Sequence, residues 1–298
     1  MQCANAAGGA NGVLLNQASR INISNTTVAS INKPGSTITA FNMSNCTQCS
    51  FGTLGINGNT ASTLTLFSDN LGTGNVIQNT LVSTNTGSTV ICYSLTGCSA
   101  ESFINCTASS NQASGSLSGF LFASTSTANY LEKCLVSTNT GGSISGFSFS
   151  GSSSQNVLID CSVLSNFANV ANLFGIVVNN ASFGILLRNN ASYNFNTTAN
   201  ATAGINFQNP TIGVSWSVID AITERNVAAG SAANSFGIIV GASANNLFSK
   251  NIAFTNFSTV GNQINGATLT AAVITPAAPA TSNMASPTGP WSNLAITQ

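Results

Sequence analysis

The chain has 298 residues, only 4% of them charged, and its six basic and six acidic side chains cancel. Charge usually reaches about 25%, so a basic nucleic-acid-binding surface is excluded. Histidine is absent, which removes Ser-His-Asp and Cys-His catalysis and any His-ligated metal.

Asparagine recurs along the whole chain. Asn5, Asn32, Asn59, Asn85, Asn111, Asn139, Asn166, Asn194, Asn226 and Asn256 are mostly 26 to 28 residues apart, and the last two gaps are 32 and 30. A fixed period of this size marks a solenoid. One polar residue at one point of every coil predicts an internal ladder of side-chain amides.

Other columns share the period. About twenty residues before each asparagine stand Gly12-Val13, Thr39-Ala40, Thr65-Leu66, Ile91-Cys92, Gly119-Phe120, Gly146-Phe147, Gly175-Ile176, Gly204-Ile205 and Gly237-Ile238. The second member is always apolar, as a strand with a core-facing position requires. Eight residues before the asparagine come Ile77, Phe103, Leu131, Leu158, Leu186, Val218 and Phe248. Three before it come Ala29, Val82, Ala108, Val136, Val163, Ala191 and Ala253. Each coil therefore holds three short strands separated by Ser-, Asn-, Thr- and Gly-rich turns. The expected fold is all-β: a right-handed parallel β-helix of about nine coils of roughly 27 residues, with an internal Asn ladder. Coils about 4.8 Å apart make a rod on the order of 40 Å long, and the hand follows the crossover preference of parallel strands.

Cysteines stack too. Cys46 and Cys98 share a column two coils apart, and Cys106, Cys134 and Cys161 share another. The Cys46/Cys49 pair has no second pair at zinc spacing. The column reads as buried free thiols acting as small apolar side chains, with disulfides between adjacent coils as the alternative. No cofactor is expected.

The scarce charges form a column six residues before the asparagine: Lys133, Asp160, Arg188, Asp220 and Lys250. Alternating sign predicts pairing between coils and a penalty for register slips. The competing reading is catalytic. Asp160 and Asp220 stand two coils apart with Arg188 between, and Glu224 lies nearby in the longest coil insertion. Two carboxyls about 6.5 to 9.5 Å apart suit inverting glycoside hydrolysis, but an intervening guanidinium opposes the raised pKa of a general acid.

The solenoid is expected over residues 1–275, and 276–298 form a Pro-, Ala- and Ser-rich tail or a cap with Trp291 over the last coil. Asn5 already fits the ladder, so the chain starts inside a coil. That start suggests end-to-end stacking on other copies or excision from a longer solenoid. No basic region followed by an apolar stretch marks a signal peptide, and no run of 18 apolar residues suggests a membrane span.

The Asn ladder, the three-strand coil and the repeated starts Gly119-Phe120-Leu121-Phe122 and Gly146-Phe147-Ser148-Phe149 resemble the right-handed parallel β-helix superfamily that contains pectate lyases. The pattern looks closer to its Asn/Ser-rich repeat members, many without assigned activity. That resemblance implies a surface or secreted protein, with polysaccharide as the substrate class where there is activity. Polygalacturonase-like members use an aspartate trio with a histidine, which has no counterpart here. Of the clustered aspartates and arginine base of the calcium-dependent lyases, only Asp160, Arg188 and Asp220 could be lined up.

Two functions are therefore expected in order. The first is a non-enzymatic structural or adhesive solenoid, extracellular or on the cell surface, with other copies of itself or polysaccharide as partners. The second is a polysaccharide lyase or glycoside hydrolase using Asp160, Arg188, Asp220 and Glu224.

Overall fold

The computed structural model describes residues 10–179, 183–198, 200–208, 215–229 and 235–240, with short strands at 247–249, 252–254, 264–266, 273–274 and 293–296. They form an all-β parallel solenoid. One sheet stacks the long strands, among them Thr60–Asn70, Thr86–Thr96, Gln112–Ala123 and Thr140–Phe149. A second carries two rows of three-residue strands, such as Val76–Gln78 with Ser102–Ile104 and Leu81–Ser83 with Thr107–Ser109. About seven turns are complete, against the nine expected. The long sheet continues past them at both ends through coils only partly described. The strand Asn293–Ile296, in the segment expected to be tail or cap, pairs in parallel with Ile252–Phe254.

A repeated backbone device makes the corners. Thr84, Ser110, Thr138 and Ser165 have φ between 53° and 55°, and each precedes a ladder asparagine. A left-handed non-glycine residue costs about 1–2 kcal/mol, so the compensation must recur in every coil. It comes from the next residue, which points inward and bonds to its neighbours above and below. Asn111 shows the pattern. Its Nδ2 donates to Val82 O and to Asn139 Oδ1, each at 3.1 Å, while its Oδ1 accepts the Asn85 N–H at 3.1 Å and Asn85 Nδ2 at 2.9 Å. Side-chain amides connect in this way from Asn59 through Asn85, Asn111, Asn139, Asn166 and Asn194 to Asn226. Buried amides are tolerated because the stack satisfies them.

Inside the long sheet an aromatic column runs Phe41, Phe67, Tyr93, Phe120 and Phe147, with successive ring centroids 5.4, 5.9, 4.2 and 4.9 Å apart. Phe51 and Phe103 meet it edge-on from the opposite wall. Tyr93 is wholly buried, and its hydroxyl donates to Thr80 O at 2.9 Å. The residue before the aromatic is buried too: the earlier coils fit Leu66 and Cys92 there, but the coils of Phe120 and Phe147 leave no room for a side chain. A Cβ on Gly146 would collide with Gly175 O and come within 2.6 Å of Val163 Cγ2, which explains the Gly-Phe starts.

Three columns sit, over part of their length, one residue from where periodicity places them. Phe41, Phe67 and Tyr93 align with Phe120 and Phe147, rather than Ala40, Leu66 and Cys92. At the first corner Ser30 has the positive φ, and Ile31 donates its N–H to Asn59 Oδ1 at 3.0 Å. Asn32 is exposed beside Thr60, outside the ladder, and Val28 rather than Ala29 aligns with Ile56. The corner, not the asparagine, sets the register. Asn5 and Asn256 lie outside the described residues.

Candidate functional site

The charge column occupies the left-handed corner between the two short strands of each coil: Asn79, Asn105, Lys133, Asp160, Arg188 and Asp220 all have φ between 50° and 54°. A corner in this conformation turns its side chain to solvent and the following residue inward. Arg188 and Asp160 form a two-point ion pair, Nε to Oδ1 at 2.7 Å and Nη2 to Oδ2 at 3.0 Å. These bonds hold the Asp160 carboxyl below the usual aspartate range. Lys133 pairs instead with Glu132 on its own coil at 2.9 Å, and that bond lowers Glu132. Asp220 adds to the field on Arg188. Lys250 lies outside the described residues.

Glu224 is on the neighbouring short strand, 3.4 Å from Arg225 Nε, and accepts the Tyr193 hydroxyl at 3.3 Å. Arg225 lies over the Tyr193 ring, 5.3 Å from its centroid. The structure thus joins Asp160 to Arg188, and groups Glu224 with Tyr193 and Arg225. Contrary to expectation Glu224 is not in an insertion: it stands in the regular strand Ile222–Glu224 beside Ser192, and the extra length of that coil falls at 209–214, outside the described residues.

A second acidic group escaped the periodicity reading. Asp69 and Glu101 are both 0% exposed. Asp69 stands in the inward column Met43, Asp69, Leu95, Phe122 and Phe149. Glu101 takes an asparagine's place in a second ladder at another corner, with Asn75 before it and Asn129 and Asn156 after it. The spacings 26, 28 and 27 repeat those of the first ladder, and a lone acid in an apolar column was a further signal. Asn75 Nδ2 donates to Asp69 Oδ2 at 3.1 Å and Glu101 Oε1 at 3.2 Å, and the Asn75 N–H donates to Glu101 Oε2 at 3.1 Å. A Cβ at Gly72 would run into the Asp69 carboxylate. Burial pushes both carboxyls up, and the Asp69 charge adds to the rise at Glu101.

The seven described cysteines are free and buried. Among the described residues no set of three or more Cys, Asp and Glu side chains has the geometry to hold a metal ion, and no helix is long and apolar enough to cross a membrane. One surface row changes character along the solenoid. Thr60, Thr86, Gln112 and Thr140 are followed by Phe167 and Phe195. These two rings are stacked with centroids 5.7 Å apart, and are 37% and 40% exposed. Tyr93 and Trp216, by contrast, are buried.

No protein-family model matches the chain, and no curated protein matches it. The class that the fold defines is the parallel β-solenoid with buried asparagine ladders.

Proposed function

We propose that the chain is a non-enzymatic structural or adhesive β-solenoid, displayed outside the cell, and akin to the Asn/Ser-rich β-helix repeat proteins rather than to the lyases. The observation that carries this reading is the distribution of five of the six acids. Asp160 and Glu132 are reachable, but their bonded cations favour the ionised form. Glu224 is engaged by Arg225 and Tyr193. The two carboxyls whose surroundings favour a proton, Asp69 and Glu101, have no exposed surface. A general acid must both hold a proton and reach the substrate, and none of these five carboxyls is shown to combine the two properties.

The contact face assigned to the adhesive role is the Phe167–Phe195 row, because exposed stacked rings are the usual mark of a binding surface. Incubation with neutral and acidic polysaccharides, with and without calcium, is expected to release no reducing ends or unsaturated products. Phe167→Ser with Phe195→Ser is expected to weaken adsorption to whichever polymer or surface the chain retains. Product release abolished by Asp160→Asn would overturn the proposal. End-to-end assembly is read by electron microscopy at several concentrations, where filaments support it and dispersed single rods overturn it.

A further inference from the structure

Hydrogen-bond accounting at the buried acids shows a shortage of donors. Four carboxylate oxygens face the donors of one residue, Asn75: its Nδ2 serves Asp69 Oδ2, Glu101 Oε1 and also Cys46 O at 3.1 Å, and its N–H serves Glu101 Oε2. Asp69 Oδ1 is buried with no partner. The titratable groups facing the pair are the Cys98 and Cys46 thiols, themselves raised by burial, with Cys49 beside Cys46. The Cys98 thiol donates to the Asp69 backbone carbonyl at 3.1 Å. The Asn129 amide meets Glu101 from the following coil. No cation acts on either acid among the described residues: the ion pairs are at Lys133, Arg188 and Arg225. Two bare carboxylates in this place would be uncompensated buried charges, which are strongly destabilising. At the equivalent position of other coils asparagine supplies donors of its own. An ionised glutamate supplies none, whereas a neutral one supplies an O–H.

We propose that Asp69 and Glu101 share one proton at neutral pH, and that its loss makes the coils around residues 69–101 the alkali-labile section of the solenoid. The folded chain keeps this proton while the unfolded chain gives it up above the ordinary carboxylate range, about 4. Stability is therefore fullest in mild acid and falls as pH rises toward the raised folded value. At its steepest the unfolding constant grows about tenfold per pH unit. The thiols that burial raises, Cys46, Cys92, Cys98 and Cys134, act in the same direction, but only above about pH 8.5, where unfolded cysteine ionises. The window from pH 5 to 8 therefore isolates the acids.

Infrared spectroscopy of the whole chain in deuterated buffer at neutral pH is expected to show the carbonyl stretch of a neutral carboxylic acid. Glu101→Gln, which keeps an acceptor for Asn75 and a donor for Asp69, is expected to remove that band and flatten the pH 5 to 8 loss of stability. Should Glu101→Gln fail to fold, Glu101→Asn, the ladder's own residue, takes its place, and the wild-type band alone still tests the sharing. Absence of the band in the wild type, or an unchanged slope in a folded Glu101 variant, overturns the proposal.

Discussion

Cys161 and Asn189 stand at the same corner of successive coils and make the same bond. Cys161 Sγ donates to Leu131 O at 3.6 Å, and Asn189 Nδ2 to Leu158 O at 3.1 Å; Asn189 Oδ1 accepts the Cys161 N–H at 3.0 Å. Cys106 and Cys134 do likewise, donating to Ile77 O and Phe103 O. The thiols are free and buried, as expected, yet they are weak ladder donors rather than apolar filler alone. Cys161→Asn is therefore expected to hold or raise the denaturant midpoint. Cys161→Val, which keeps the bulk and loses the donor, should cost about 1 kcal/mol. Urea unfolding of the two variants distinguishes a donor column from simple packing.

Breaking the main ladder has a larger effect. Asn111→Ala takes the Asn111 Oδ1 acceptor from the buried Asn85 N–H, removes the donor to Val82 O, and cuts the side-chain links to Asn85 Nδ2 and Asn139 Oδ1. The expected loss is about 3 kcal/mol. Asn32→Ala, on the exposed side of the corner, is expected to stay within about 0.5 kcal/mol of the parent. Equal losses in the two variants would mean that Asn32 does belong to the stack.

Gly146→Ala should destabilise by about 1–3 kcal/mol, since Val163 and the Gly175 carbonyl leave no room for a methyl group. Gly52→Ala is the control, because its nearest neighbour is Gln78 Nε2 at 3.6 Å from the added carbon. Thermal melts of both variants suffice, and a drop confined to the first is the expected result.

The Asp160–Arg188 pair is on the surface, with Arg188 half-exposed, so its removal should barely move the midpoint at neutral pH. The sign of its pH dependence is opposite to that of the buried acids. A carboxyl lowered by Arg188 contributes stability above the ordinary aspartate range and loses it as pH falls through the lowered value. Asp160→Asn and the parent should differ slightly above pH 4 and converge in stronger acid. Divergence on the alkaline side would contradict this assignment.

Periodicity alone determined the parallel solenoid, the ladder from Asn59 to Asn226, the wall columns from Ile77 and Val82 onward, and the stacking of the charged stripe. Each follows from one repeated need: a fixed position in every coil meets its own copy one coil away. Tertiary structure decided what depends on single atoms. The left-handed residue at Ser30 placed Ile31, not Asn32, in the stack, because the corner and not residue identity defines the inward position. Lys133 turned to Glu132 on its own coil rather than to Asp160, because a flexible ammonium takes the nearest carboxylate. Asp69 and Glu101 are 32 positions apart in sequence, and only the folding of one coil onto the next brings their carboxyls to the same asparagine, away from water and from every cation described.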